Sequence, residues 1–140
     1  MILTRFAAVV AAVAMLTLFN PAAQADEAAV QRVITAQLEA FRANDAKTAF
    51  GFAAPGIKRM FRTPQNFIMM VERGYRPVYE GSTPTFLRSQ DGGDGNFAQE
   101  VSLTDNEGRS WRALYTLAKQ DDGSWRITGC VLRPANAQSI

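Results

Sequence analysis

Hydrophobic and polar residues alternate along most of the second half of the chain. Three segments have this pattern, residues 97–103, 111–117 and 125–132, and it is typical of β-strands with one buried face. The stretches between them, residues 105–108 and 121–124, are rich in Asp, Asn and Gly, which close short hairpin loops. The pattern therefore predicts two consecutive antiparallel hairpins.

A fourth strand is predicted upstream, over residues 85–89, because Pro84 is suited to the beginning of a strand. The Gly-rich residues 91–96 are predicted to form a flexible turn, since their acidic residues lack the alternating spacing of a calcium-binding loop. Together the four strands predict a curved antiparallel sheet.

The first half of the chain has the spacing of helices instead. Apolar residues recur every three or four positions within residues 28–43: Val30, Val33, Ile34, Leu38 and Phe41. One apolar stripe of this kind predicts an amphipathic helix. Helices before a sheet define an α+β fold, with the N-terminal helices packed on a curved four-stranded antiparallel sheet.

Shorter helices are predicted after this first one, over residues 46–52, 57–61 and 65–73. Asp45 is a candidate N-cap for the first of them, and Thr63 followed by Pro64 is a start signal for the last. Residues 75–79 are predicted to be extended, because a residue that precedes proline avoids the helical region.

The odd-numbered strand positions form the more apolar face of the predicted sheet, and we assign this face to the helices. Its members are Phe97, Gln99, Val101, Leu103, Trp111, Ala113, Tyr115, Leu117, Trp125, Ile127, Gly129 and Val131. The even-numbered face is mixed and carries Leu114, Cys130 and Leu132 among polar residues. An apolar group of this kind on an outer sheet face suggests a homodimer interface.

The N-terminus predicts a signal peptide over residues 1–25. A basic start precedes an apolar run, residues 6–19, and Ala23-Gln24-Ala25 is a small-residue cleavage site. The run is shorter than the ~20 apolar residues that span a bilayer. We therefore expect cleavage after Ala25, export to the periplasm or the medium, and no stable membrane insertion afterwards. Residues 26–140 then form a single domain.

Charge and composition exclude several functions. Once Arg5 leaves with the signal peptide, 14 basic and 13 acidic residues remain, which gives no reason to expect a nucleic-acid partner. The chain has no histidine, so Ser-His-Asp and Cys-His catalysis and histidine-based zinc sites are excluded. With Cys130 as the only cysteine, no intramolecular disulfide forms, and no metal or other cofactor is predicted.

Candidate ligand-binding residues come from the inward face: Tyr115, Gln99, Trp111, Trp125 and Phe97. A tyrosine and a glutamine can orient a ligand, but neither is a base at neutral pH. No Asp or Glu is expected on this face, and aromatic side chains that only fill the core remain the alternative.

A second candidate is a group of basic residues: Lys58, Arg59, Arg62, Arg73 and Arg76. Such a group could meet an anionic partner such as a lipid headgroup, an acidic glycan or a carboxylate. The alternative is a solvated helical surface.

Five segments of the chain resemble those of two known families. Residues 40–45 (AFRAND) and 122–127 (DGSWRI) resemble the opening and the closing strand of nuclear-transport-factor-2-like domains. Residues 50–57 (FGFAAPGI), 63–67 (TPQNF) and 70–79 (MVERGYRPVY) resemble a family of small exported alphaproteobacterial proteins, domain of unknown function 4864. The resemblance implies a cone-shaped fold with a helix-lined pocket, but it carries no activity to this chain.

Three hypotheses follow. The first is an exported binding module that holds a small apolar or amphipathic ligand in the cone, or a protein partner on the sheet. The alternative is a pocket enzyme of the isomerase or dehydratase type, and a third is a structural accessory that only dimerises. An inward carboxylate in a closed apolar cavity would favour the enzyme, since burial shifts the pKa of such a group. A filled cone would favour the interaction protein.

Overall fold

A computed structural model describes residues 20–80 and 82–136 of the chain. Within these residues, five helices precede four strands. Their bounds are α1 Pro21–Arg42, α2 Ala46–Gly51, α3 Pro55–Phe61, α4 Pro64–Gly74, α5 Arg76–Tyr79, β1 Thr85–Gly93, β2 Asn96–Thr104, β3 Ser110–Lys119 and β4 Trp125–Pro134. The predicted α+β arrangement, with N-terminal helices on a curved antiparallel sheet, is confirmed.

The predicted amphipathic helix is α1, which begins earlier than expected. Asn20 caps it by accepting a hydrogen bond from the Ala22 N–H at 3.1 Å, and Pro21 fits the first turn because its missing N–H would have no partner there. Residues 1–19 of the predicted signal peptide lie outside the described residues. No helix of the described part of the chain has the length and hydropathy of a membrane-spanning segment.

The buried stripe of α1 packs on the sheet. It consists of Val30, Ile34, Leu38 and Phe41, all of which are essentially inaccessible to solvent. Burying each such side chain stabilises the fold by about 1.5–3 kcal/mol relative to leaving it exposed. The stripe therefore provides much of the energy that holds the helices on the sheet.

Side-chain caps start the next helices where the sequence indicates. Asp45 accepts from the Thr48 N–H and Thr63 from the Asn66 N–H, each at 3.1 Å, so both predicted caps are confirmed. Residues 75–79 are not extended as predicted, because Arg76–Tyr79 forms the helical turn α5. A proline in the first turn of a helix removes no hydrogen bond, so Pro77 permits this turn.

The sheet is a meander with the strand order β1-β2-β3-β4, and all neighbours are antiparallel. Strand β1 continues to Gly93, four residues beyond the predicted end at residue 89. The turn that follows is correspondingly tight, and Asp94 and Gly95 both have left-handed backbone conformations (φ 53° and 76°). Glycine and aspartate tolerate such angles, so the sequence suits this turn.

A β-bulge in β4 changes which residues face the helices. Thr116 pairs with Gly129 but Leu117 pairs with Ile127, so Thr128 is an extra residue on β4. An extra residue reverses the alternation of the strand beyond it.

The face assignment beyond the bulge was therefore wrong. Cys130 and Leu132 were placed on the outer face, but they pack against the core on the inner face. Val131 was assigned to the inner face, but it is 52% exposed. Before the bulge, Trp125 and Ile127 face inwards as predicted, and on β3 Tyr115 does so too.

Trp125 anchors one end of the core. Its side chain is 4% exposed, and its ring meets the Phe97 ring edge to face with 5.9 Å between centroids. Lys119 Nζ lies 5.8 Å from the same ring centroid.

We expect Trp125→Ala to lower the free energy of unfolding by about 3–5 kcal/mol, because the truncation leaves a cavity in a packed region. Urea denaturation measures this loss. Met69→Ala on the exposed surface of α4 is the control and should change stability by less than about 0.5 kcal/mol. A loss below about 1 kcal/mol for Trp125→Ala would contradict its place in the core.

Candidate functional site

An apolar cavity of about 260 Å³ lies between the inner face of the sheet and the helices. Most of its walls are aliphatic, aromatic or sulfur-containing side chains. The lining residues are Gln37, Phe41, Ala53, Ile57, Met60, Phe61, Phe67, Met70, Val71, Tyr75, Val78, Tyr115, Ile127, Thr128, Gly129 and Cys130. We call this space the Tyr115 cavity.

The helical wall of the cavity is an aromatic cluster centred on Phe67 of α4. The Phe67 ring lies 5.3 Å from that of Phe50, 5.8 Å from Phe61 and 6.0 Å from Phe41, measured between centroids. Tilted and edge-to-face contacts at these distances are favourable. The cluster therefore fixes α4 relative to α1, α2 and α3.

Helix α3 is positioned over the cavity by backbone hydrogen bonds to β4. The Ile127 N–H donates to the Phe52 carbonyl at 2.9 Å, and the Ala54 N–H donates to the Ile127 carbonyl at 2.8 Å. Ala54 directly precedes α3, which contributes Ile57 and Met60 to the cavity wall. Met60 is 74% exposed, so the cavity opens to solvent beside it.

The Tyr115 hydroxyl is the polar group that stands out in this apolar space. Tyr115 is 1% exposed, and its hydroxyl has no hydrogen-bond partner among the described residues. A buried polar group without a partner costs about 1–3 kcal/mol. Native structures satisfy almost all such groups, so an unpaired one indicates a site for a ligand or a water molecule.

Two ionisable groups that face the cavity, Tyr115 and Cys130, have raised pKa values. Burial, and then the neighbouring Cys130, raise the pKa of Tyr115 well above its usual value. Burial raises the pKa of the Cys130 thiol to about 12. The Cys130 thiol also contributes to this shift as a weak hydrogen-bonding group, but the pair does not have the geometry of a full hydrogen bond, so the hydroxyl stays unsatisfied. Tyr115 is therefore available as a neutral donor or acceptor.

Of the five residues predicted to bind a ligand, only Tyr115 lines this cavity. Gln99 is fully buried elsewhere, where its Nε2 donates to the carbonyls of Glu100 (2.9 Å) and Arg88 (3.3 Å), and its Oε1 accepts from Gln31 (3.2 Å). These bonds tie β2 to β1 and α1. Phe97 and Trp125 pack on each other in the core.

Trp111 lies in a neighbouring groove of about 1040 Å³. This groove shares Tyr75 and Cys130 with the Tyr115 cavity, and charged side chains line much of it. They are Arg73, Arg76, Glu80, Asp105, Glu107 and Arg109. Three arginines and three carboxylates thus line the groove, whereas the Tyr115 cavity beside it has no charged lining residue.

Asp105 organises this groove and the β2–β3 hairpin. Its carboxylate accepts hydrogen bonds from the Trp111 indole, the Arg109 backbone and guanidinium, and the Glu107 N–H, all at 2.9 Å. These bonds, that of the Trp111 indole first, hold the pKa of Asp105 at about 2 despite the opposite effect of burial. Each oxygen of the Asp105 carboxylate thus accepts two hydrogen bonds, which indicates a structural role.

Sequence reasoning missed Cys130 and Gln37 as cavity residues. Gln37 is buried on α1 and donates to the Ala49 carbonyl at 3.1 Å, so a polar residue occupies the apolar stripe. For Cys130 a signal was present, because an isolated glycine inside a strand, here Gly129, often marks a bulge. In the described part of the chain, no group of His, Cys, Asp and Glu is arranged to hold a metal ion.

The fold and site define a small α+β domain whose helices cover one face of an antiparallel sheet and enclose an apolar cavity. Residues 23–140 match the family described as domain of unknown function DUF4864. The chain belongs to this family, which confirms the resemblance to a family of unknown function. No curated protein matches the chain.

The Asp105 interactions predict a specific pH dependence. Because the folded-state pKa (about 2) lies below the ordinary value of 3.8, the carboxylate stabilises the fold above pH 3.8, and this contribution is lost as the pH falls towards 2. Asp105→Asn should therefore be less stable than wild type at pH 6, and the difference should shrink between pH 4 and 2. Urea denaturation at each pH measures it. Parallel stability curves for the two proteins would contradict this role.

Proposed function

We propose that this protein is an exported binding module that holds a small, mostly apolar ligand with one hydrogen-bonding atom in the Tyr115 cavity. The observation that carries the proposal is the unpaired Tyr115 hydroxyl, which is buried beside a mostly apolar space. Pockets of this composition, with few polar groups that fix orientation, are typical of small-molecule sites.

The cavity volume limits the size of the ligand. A dry apolar cavity of about 150 Å³ accepts benzene, and drug-sized ligands occupy about 300–1,000 Å³. At about 260 Å³, the Tyr115 cavity suits a ligand somewhat larger than benzene. The apolar part would contact the Phe67 cluster, and a hydroxyl or carbonyl oxygen would reach Tyr115.

The cavity chemistry favours binding over the alternative of an isomerase or dehydratase. Such an enzyme needs a general base whose pKa lies near the working pH. None of the described residues that line the cavity is a carboxylate, and the pKa values of Tyr115 and Cys130 are both raised. Both groups are therefore protonated at neutral pH, and neither can act as the general base.

Export is proposed from the N-terminal sequence: the basic start, the short apolar run and the small residues before Ala25 match a cleavable signal peptide. The helix-lined cavity beside a curved sheet also supports the proposed likeness to nuclear-transport-factor-2-like domains. A periplasmic or secreted protein could take its ligand from that compartment.

We also propose a homodimer through the outer sheet face. The residues at its centre differ from those that the sequence predicts. Leu114 and Val131 pair across β3 and β4, and both are large exposed hydrophobic residues. An apolar cross-strand pair on an open sheet face is a plausible centre for self-association. Cys130 and Leu132 do not belong to it, since they face the core.

Light scattering at micromolar concentration tests the dimer. We expect the mass of two chains for the wild type and of one chain for Val131→Arg, because a charge would be placed in the centre of the interface. Gln65→Arg, on the exposed surface of α4 and away from the outer sheet face, should keep the dimer. A monomeric wild type would remove this part of the proposal.

The ligand proposal is tested with 2-naphthol and naphthalene, which differ by one hydroxyl. We expect the wild type to bind 2-naphthol roughly threefold to tenfold more tightly than naphthalene, as one net hydrogen bond predicts. Tyr115→Phe should lose this preference while remaining as stable as the wild type, because it removes an unpaired buried hydroxyl. Fluorescence titration and urea denaturation measure the two effects.

Matched variants locate the binding site. Ile57→Trp places a large side chain at the cavity wall and should abolish binding of both compounds. Val131→Trp on the outer face makes a comparable change away from the cavity and should leave binding unchanged. The proposal fails if Tyr115→Phe keeps the full preference for 2-naphthol, or if Ile57→Trp binds both compounds like the wild type.

A further inference from the structure

The segment that contributes Ile57, Met60 and Phe61 to the wall of the Tyr115 cavity has an unusual charge distribution. Residues 46–71 include Lys47, Lys58, Arg59 and Arg62 but no Asp or Glu, although acidic and basic residues are nearly equal in number over the whole chain. The segment comprises α2, α3 and most of α4. It is therefore a locally cationic part of a nearly neutral protein.

Two of these charges are exposed beside the cavity mouth without an acidic partner. Arg59 lies on α3 and Arg62 directly follows it, and neither forms an ion pair within residues 20–80 and 82–136. By contrast, Arg88 and Arg112 on the outer sheet face share Glu100 at 3.2 and 3.3 Å. The arginines of α3 are thus available to an anionic partner.

An exposed apolar residue lies between them in the sequence. Met60 is the most exposed of the large hydrophobic residues in the described part of the chain, and it also lines the cavity. Helix α3 itself has no buried residue, so its surface meets solvent along most of its length. A methionine flanked by arginines combines an apolar contact with cationic charge, which is the chemistry that an anionic lipid surface attracts.

We propose that the α3 surface, formed by Arg59, Met60 and Arg62, docks on an anionic lipid bilayer, so that the mouth of the Tyr115 cavity faces the membrane. Charge complementarity supplies the attraction and Met60 enters the headgroup region. An acidic protein would satisfy the arginines but would not explain an exposed methionine at the opening of an apolar cavity. Docking is independent of the proposed ligand, although a ligand that partitions into membranes would gain a route to Tyr115.

Cosedimentation of the mature protein, from which the predicted signal peptide has been removed, with vesicles tests the docking. We expect binding to vesicles of phosphatidylglycerol and phosphatidylcholine, weaker binding at high salt, and little binding to phosphatidylcholine alone. A basic residue close to an anionic membrane contributes about fivefold in affinity. The double variant Arg59→Glu/Arg62→Glu should therefore bind at least about twentyfold more weakly.

Matched controls separate docking from general charge and from folding. Arg88→Glu/Arg133→Glu changes the net charge equally on the outer sheet face and should keep vesicle binding. Met60→Ser should weaken binding about tenfold, through its lost apolar contact, whereas Met69→Ser, 45% exposed and outside the cavity lining, should not. Urea denaturation checks that each variant folds.

The outcomes distinguish this inference from the proposed function. If Arg59→Glu/Arg62→Glu binds 2-naphthol like the wild type but no longer binds anionic vesicles, docking is supported whatever the ligand. Equal binding of the wild type to neutral and anionic vesicles, or no binding to either, overturns the docking. The docking is also overturned if Arg59→Glu/Arg62→Glu and Arg88→Glu/Arg133→Glu lose vesicle binding to the same extent. Binding to polyglutamate but not to vesicles would assign the surface to an acidic protein instead.

Discussion

The architecture depends on the junction between β4 and the segment that joins α2 to α3. At this point the backbone of Ile127 forms hydrogen bonds with Phe52 and Ala54, while its side chain is buried in the core. One residue of the sheet therefore fixes both the start of α3 and the local packing. The extra residue Thr128 follows immediately, so the place where the helices are attached is also the place where the strand changes its face.

This junction explains why a cavity exists next to it. The regular part of the inner face is filled by α1, whose stripe leaves no accessible surface on Val30, Ile34 or Leu38. Beyond the bulge, β4 presents Cys130 towards Tyr115, and the covering helix α3 contributes no buried residue. A short helix held by its N-terminal connection covers the space without filling it. The hydroxyl of Tyr115 is then enclosed without a partner.

The buried polar groups of Gln99 and Asp105 differ from the Tyr115 hydroxyl in whether the fold supplies their hydrogen-bond partners. The Gln99 amide and the Asp105 carboxylate are both buried, and each is supplied with several donors or acceptors from its own surroundings. Their interactions are complete without any other molecule. Tyr115 is the opposite case, because the fold buries its hydroxyl and supplies no partner. Satisfied polar groups maintain a fold, whereas an unsatisfied one in an accessible cavity indicates a site for a ligand or a water molecule.

Much of the fold could be predicted from local patterns. The helical stripe of α1, the caps at Asp45 and Thr63 and the Asp- and Gly-containing hairpin turns were correct, because each depends on residues close in sequence. The face assignment failed after Thr128, since a period of two carries no information about where an extra residue is inserted. The turn at α5 was also mispredicted, because its proline permits both conformations.

The sequence by itself determined four of the five helices, the presence and order of the four strands, and the absence of histidine chemistry. Only the tertiary structure decided that Tyr115, rather than Gln99 or Trp111, meets an empty apolar space, and that Cys130 lies beside it. The physical reason is that secondary structure follows from short-range backbone preferences. A cavity, by contrast, depends on how side chains distant in sequence fail to fill the volume between packed elements.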